Sequence, residues 1–458
     1  MEWWQAPLRE LVGGRKVILA GGVAAAWGPM VTALRRLGAA ELLVVALEKA
    51  GAGPQPDCPV VVDEEPDDHH DPMASLRAGL RKLAAPPAHV IAAVEAFDPD
   101  GGAVVFGHFL GESARFVGRP VVAHRRPEWV ALEDKTRLDE VLARAGVSGA
   151  PSVVVPLDEA AAVRHRLDAG AGTVWSADAS GGYHGGGALT RWVTDDARAE
   201  EVTAELRGRC THVRVMPFLE GVATSIHGIV LPDGVTVLRP VELVTLRRGH
   251  ELRYSGCATF WDPPDAVREE MRAAARRVGE ALRATVGFRG PFTLDGVATA
   301  DGFRPTELNP RFGAGLNVIA NGLGEVPLTL VLDLVVAGRP LHIRAADLER
   351  ELVRTADASR AGGTWQLHVP TPVPVDGRMV RVEGTAWRWA ADEESDVVDG
   401  IVVAAEGFVR LQFNPTRTPA GPSVGPRSAA FWRFADAELG TAIGELTAPP
   451  DVTRTGAI

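Results

Sequence analysis

The chain has 458 residues, 46% of them hydrophobic and 23% charged, and a formal net charge of −11. That length suits about three domains of roughly 150 residues and a sizeable core, and the acidic balance argues against a nucleic-acid surface as the main role. Three scattered cysteines, Cys58, Cys210 and Cys257, give neither a disulfide framework nor a zinc site and fit a reducing cytoplasm. The opening MEWWQAPLRELVGGRK has no apolar signal core, and no apolar run reaches about 18 residues, so neither a leader nor a membrane span is expected.

Residues 16 to about 125 alternate strand and helix. KVILAGG is a strand entering a glycine turn, WGPMVTALRRLG a helix, and ELLVVALE and PVVVD are strands. SLRAGLRKLAA is an amphipathic helix, followed by the apolar runs VIAAVEAF and AVVFGHFL. This pattern predicts βαβ units on a parallel sheet. The Gly21-Gly22 turn sits at a helix start and could receive part of a substrate. It lacks G-x-G-x-x-G, and no G-x4-G-K-[ST] occurs anywhere, so neither a dinucleotide fingerprint nor a P-loop is present. HRRPEW reads as a linker.

A helix is expected from near Glu133 through KTRLDEVLARAG to Gly146, then strands in SVVVPL and TVWSAD. The latter runs into five glycines within seven positions, 181–187, broken only by Tyr183 and His184. Such a cluster after a strand suits either a backbone cradle for phosphates or a surface loop. THVRVMPFLEG and TSIHGIVLPDGVTVLRPVELVTL read as strands with a turn at PDG. REEMRAAARRVGEALRATVG is a long amphipathic helix, and VPLTLVLDLVVAG a second helix beyond a hairpin. From about 345 the chain turns to short strands and prolines, and 415–428 is expected to be a mobile loop. The expected division is 1–125, 126–344 and 345–458.

The hairpin carries the chemistry. FTLDGVA and GFRPTELNP flank Ala300-Asp301-Gly302, a three-residue connection with glycine last. That register sets Asp295 directly opposite Glu307. Facing carboxylates repel, and a bound cation would turn the cost into an asset. Alternation puts Glu307, Asn309 and Arg311 on one face if the strand stays extended. Carboxylate and amide oxygens are hard ligands suited to Mg²⁺; the plainer reading is a solvent-facing acidic pair. Pro305 marks an edge or a bulge.

The spacing Asp-x11-Glu-x-Asn-x-Arg in TLDGVATADGFRPTELNPR resembles the magnesium hairpin of the ATP-grasp superfamily of carboxylate–amine ligases. LEDKTRLDEVLARAGV resembles the segment entering the first ATP-grasp subdomain, and VRVMPFLEG resembles the adenine hinge. The phrases RPVELVTLRRGHELRYSGCATFWDPP and FRGPFTLDGV are similar to pre-ATP-grasp peptide ligases of the pheganomycin peptide ligase type. The resemblance implies a multidomain α/β and α+β chain: a Rossmann-like pre-ATP-grasp domain, an ATP-grasp domain and a small C-terminal α+β domain. It implies ATP-driven phosphorylation of a carboxylate and attack on the acyl phosphate by an amine, giving an amide, ADP and phosphate. The cofactors implied are ATP with one or two Mg²⁺, or Mn²⁺. Partners would be small carboxylates, amines or peptides, with no nucleic acid or membrane, in a chain whose assembly is open up to a homodimer.

Residue by residue, the resemblance implies that Asp295, Glu307 and Asn309 hold the metal. Lys135 would meet the nucleotide phosphates, and Arg311 the charge developing on the γ-phosphate or acyl phosphate; for Arg311 the other reading is a salt bridge to Glu307, and for Lys135 a solvated first-turn lysine. Gly181, Gly182, His184 and Gly185 fall in the phosphate-covering flap. Met216, Phe218, Leu219 and Glu220 form the hinge, Glu220 being either ribose ligand or loop acid. His227 could touch nucleotide or be a satisfied core histidine, and Arg247 or Arg248 could clamp a substrate carboxylate or be exposed turn residues. One departure stands out. The strand before the flap normally carries a second lysine, yet Ser176, Ala177 and Asp178 occupy the possible alignments and no lysine follows Lys135. Either Arg191, Arg214 or His184 replaces it, or the second cation is absent. Two rival classes share the features: a nucleotide-binding scaffold without catalysis, and a biotin-carboxylase-like carboxylase.

Overall fold

The computed structural model describes residues 3–47, 55–62, 72–107, 112–180, 187–324, 326–405 and 407–454. The N-terminal part is the expected parallel sheet. Strands Lys16–Ala20, Glu41–Ala46, Val60–Val62 and Val104–Gly107 pair in parallel, with Val60–Val62 and Val104–Gly107 at the edges and Lys16–Ala20 beside the latter. The two central strands are apolar almost throughout because both faces of a parallel sheet are covered.

A second sheet is antiparallel, in the order Val153–Pro156, His212–Pro217, Thr173–Ala177, Thr190–Val193. Trp175, Ala177, Val213 and Val215 pack on one face with residues of helices Ala160–Leu167 and Asp196–Leu206. Val174 and Met216 pack with Phe218 on the other.

The third sheet has ten strands. It starts at the edge strand Gly302–Asn309 and continues through Gly290–Thr299, Val222–Leu231, Gly234–Arg248 and Glu251–Ala258. It then passes without a break into Gly362–Gln366, Phe408–Phe413, Gly400–Ala405, Val375–Glu383 and Ala386–Trp389. The crossing between these halves is built on glycines. A Cβ on Gly256, at φ +129°, would fall 2.3 Å from the Gly363 carbonyl oxygen, and one on Gly362 2.4 Å from the Ala258 Cβ. Helix Asp265–Val286 buries Met271, Ala275, Val278 and Leu282 and ends at Gly287 in the left-handed region.

Two local expectations need correction. The helix placed at Glu133 begins at Leu138; two 3-10 turns, Ala131–Glu133 and Lys135–Arg137, precede it. The Asp134 side chain accepts from the Thr136 N–H at 2.9 Å and starts the second turn. The segment read as a mobile loop at 415–428 is helical over its last residues, where helix Gly425–Leu439 begins. The buried Glu242 on the central sheet gathers its start, accepting from Ser423 Oγ at 2.6 Å and from the N–H groups of Val424 and Gly425 at 2.9 and 3.2 Å. Burial pushes the Glu242 carboxyl up to about 7 against those hydrogen bonds. Among the described residues no single helix is long and apolar enough to cross a membrane.

Candidate active site

The hairpin reaches the expected pairing by a different route. Thr299 pairs with Gly302, leaving a two-residue connection, so the register near the turn is one residue short of that expected. A bulge at Thr306 restores it: Gly296 faces Pro305, but Asp295 faces Glu307. Pro305 therefore sits beside a bulge and on an edge strand, the two places a strand tolerates it.

Two rows of polar side chains cross the sheet here. The first is Ser225, Asp295, Glu307; the second is His227, Thr293, Asn309. Ser225 Oγ donates to Asp295 Oδ1 at 2.6 Å, and Asn309 Nδ2 to Asp295 Oδ2 at 3.0 Å. Burial and the facing Glu307 carboxylate raise Asp295 from its ordinary value to about 7, against the help of Ser225, Arg311 and Asn309. Lys135 is not a solvated lysine. It is 7% exposed, its Nζ lies 3.4 Å from Glu307 Oε2, and it donates to Thr190 Oγ1 at 3.2 Å.

Arg311 also differs from its simpler reading. Its carboxylate partner among the described residues is Glu133, at 3.3 Å from Nε, and Nη2 donates to Asn309 Oδ1 at 2.8 Å. Glu133 is shared with Arg125, whose Nη2 donates to the other carboxylate oxygen. Neither Glu133 nor Arg125 stood out in the sequence. Glu133 lies two residues before Lys135, the one local signal available; Arg125 lies in the stretch read as a linker.

His227 is buried, and neither ring nitrogen has a hydrogen-bond partner among the described residues. Burial depresses it to about 3, keeping the ring neutral. The loop after the hairpin lies directly on it. A Cβ on Gly315 would fall 2.4 Å from His227 Cε1, and one on Gly313 2.3 Å from Thr293 Oγ1. Glycines in RFGAG let that loop seat on the second row.

On the four-stranded sheet Ser176 lies between Thr190 and Arg214 in register. Asp178 takes hydrogen bonds from Ser180, Thr211 and His212, which outweigh burial and hold its carboxyl at about 2. Arg191 pairs across from Trp175, on the helix-covered face, and is bound to Glu205. Arg214 shares the opposite face with Met216; it is 1% exposed and forked onto Asp139, with Nη2 to Oδ1 at 2.8 Å. Of the two arginines, only Arg214 shares the Ser176 face. Gly181, Gly182, His184 and Gly185 lie outside the described residues.

At the hinge Phe218 stacks on Trp192 with centroids 4.1 Å apart. The Arg247 guanidinium lies 5.0 Å over Phe218 and binds Glu220, Nη2 to Oε1 at 2.5 Å. Met216 and Phe218 are buried there, with Leu219 packed against them. Arg248 binds Glu251. Neither arginine is a free turn residue; both end the long strand Gly234–Arg248. In the N-terminal part a cavity of about 260 Å³ opens where Lys16–Ala20 and Val104–Gly107 end, lined by Ala20, Leu80, Leu83, Phe116, Val121 and Glu112 among others. The carboxyl ends of neighbouring parallel strands are where α/β sheets bind ligands.

No protein-family model matches the sequence, and no curated protein matches it. Solved structures do. The chain is similar to the biotin carboxylase domain of a Hydrogenobacter thermophilus 2-oxoglutarate carboxylase, solved with MgADP, ADP and bicarbonate. The identity is 15% and the TM-score 0.56, over 95% of this chain and 91% of that one. It is similar to biotin carboxylase from Campylobacter jejuni, at 13% identity and a TM-score of 0.56 over 96% and 93%. It is also similar to an L-amino acid ligase from Bacillus licheniformis, at 14% identity and a TM-score of 0.52 over 95% and 100%.

The chain has the ATP-grasp fold.

An ATP-grasp site implies a divalent cation, and the donors present fit one. Asp295 and Glu307 repel across the ladder, and a cation between them would relieve the strain that holds a proton on Asp295. Among the described residues no three His, Cys, Asp or Glu side chains form a metal cluster. Beside the pair lies the Asn309 amide, whose oxygen is a hard ligand of the kind Mg²⁺ takes.

Proposed function

We propose that the chain is an ATP-dependent ligase that joins a carboxylate, an amino acid or N-blocked peptide, to an amine through an acyl phosphate. ADP and phosphate are released, and the setting is peptide or natural-product biosynthesis. The observation that carries this reading is the opposed pair Asp295 and Glu307, with Asn309 beside it and a buried lysine on Glu307. A scaffold that only bound nucleotide would have no use for facing carboxylates.

In this reading Asp295, Glu307 and Asn309 hold one or two Mg²⁺, which supply charge neutralisation for the β- and γ-phosphates. Lys135 exchanges its contact with Glu307 for a nucleotide phosphate. Arg311 stabilises the negative charge that grows on the transferred group. The stretch 181–187 covers the phosphates, and Met216, Phe218, Leu219 and Glu220 read the base and ribose; Glu220 must leave Arg247 to do so. The divisions 1–125, 126–344 and 345–458 are proposed as acid-selecting, nucleotide-binding and covering parts. The cavity at the ends of the parallel strands supports giving acid selection to the first.

The test is ADP release from ATP and Mg²⁺ with pools of amino acids, N-blocked peptides and bicarbonate, each with and without amines. ADP formation that needs both an acid and an amine supports the ligase; formation with bicarbonate alone moves the reading to a carboxylase. Glu307→Gln is expected to lose turnover by at least about 100-fold while still binding ATP. Unchanged turnover in that variant would overturn the metal assignment.

A further inference from the structure

Arg125 has no part in the reaction above, yet its placement is costly. It is 4% exposed, whereas its neighbour Arg126 lies out over the Trp129 ring. A guanidinium is moved out of water only at considerable expense unless it is paired. Here two guanidiniums, Arg125 and Arg311, share the single carboxylate of Glu133, one on each oxygen. Arg125 Nε has no hydrogen-bond partner among the described residues. Burial lowers the pKa of Arg125 and repulsion from Arg311 adds to it, while the carboxylates of Glu133 and Glu112 counter it. The cluster keeps an open donor, Arg125 Nε, beside the metal hairpin. Two forked guanidiniums around one carboxylate is also how proteins hold a carboxylate or phosphoryl ligand.

We propose that Arg125 and Arg311 form the anion site that receives the transferred phosphoryl group or the acid's carboxylate, and that Glu133 is a resident carboxylate which the incoming anion displaces. This rests on the nucleotide-dependent reading above and adds a residue to it. Arg125 touches the reacting group, and Glu133 holds the two guanidiniums apart, one on each of its oxygens, until it arrives.

The test uses the full chain with MgADP and inorganic phosphate as the probe, followed by calorimetry. Arg125→Gln is expected to weaken phosphate binding about 10- to 100-fold, the range for a hydrogen bond to a charged group, with MgADP affinity unchanged. Arg125→Lys, which keeps the charge and loses the fork, should fall between and covers the case in which Arg125→Gln fails to fold. Glu133→Gln separates the roles by sign. If Glu133 competes with the anion, phosphate binds as tightly as in wild type or more so. If Arg125 only props Glu133 behind Arg311, Glu133→Gln weakens phosphate as much as Arg125→Gln does, and the proposal fails. It fails equally if wild type binds MgADP but no phosphate, or if Arg125→Gln binds phosphate normally while also leaving N-acetylglycine binding intact. A loss confined to N-acetylglycine identifies the acid's carboxylate as the occupant. Failure of wild type to bind MgADP at all is a failure of the nucleotide reading itself.

Discussion

Asp295 ties the chemistry of the site to the stability of the chain. Its folded pKa, about 7, lies above its ordinary 3.8. The native state therefore holds a proton that the unfolded chain releases, and stability falls as pH rises from about 4 to about 7. Glu242, raised to about 7, pulls the same way; His227, depressed to about 3, pulls the opposite way as pH falls below about 6.5. The readable quantity is thus a difference. The melting temperature of wild type minus that of Asp295→Asn, both metal-free, should drop across that window and level off above it. Saturating MgADP should flatten the drop, since metal binding needs the carboxylate ionised. Superimposable profiles would mean that Asp295 is an ordinary acid. Lys135→Ala should weaken MgADP about 10-fold or more, while Lys16→Ala, whose lysine pairs with Glu41 on the parallel sheet, leaves it unchanged; equal losses would remove Lys135 from the phosphate site.

At the scale of elements, the hairpin was legible because its signal is local. Alternation and a glycine turn fix which residues oppose, and the missing turn residue was made up by Thr306. The bulge itself had no sequence mark beyond Pro305. Deleting Thr306 removes the bulge but leaves Glu307 directly after Pro305, still opposite Asp295, with Asn309 still opposite Thr293. MgADP binding should therefore survive the deletion; its loss would show that the bulge shapes the site beyond setting the register. The rest of the site was illegible for a physical reason. Glu133 and Arg311 are 178 residues apart, and HRRPEW shows nothing local that separates a buried arginine from an exposed one. The helix expected at Glu133 also hid that residue, because a 3-10 turn, not an α-turn, presents it to Arg311.

Across the whole molecule, the parallel sheet followed from patterning. The continuity of the central sheet did not, since strand partners in different thirds of the chain leave no periodic trace. Among the contacts that join the last third to the middle are the glycine crossing at Gly256 and Gly363, and Glu242 beneath Ser423, Val424 and Gly425. Glu242→Ala takes the acceptor from the buried Val424 N–H, while the Gly425 N–H keeps Ser423 Oγ at 3.0 Å, and should cost about 1–3 kcal/mol in denaturant unfolding. Limited proteolysis should then cut between about 414 and 425 faster than in wild type; an unchanged digestion rate would mean that Glu242 is not the clasp.

The crossing at Gly256 also sets a timetable for synthesis. Strand Glu251–Ala258 leaves the ribosome with one edge open, and the strand that covers it, Gly362–Gln366, follows about a hundred residues later. At roughly 5–20 residues per second that edge stays open for about 5–20 s. A nascent chain of this kind is exposed to edge-to-edge pairing with its neighbours on the same polysome, and its yield should respond more to translation speed through residues 259–361 than to speed anywhere upstream.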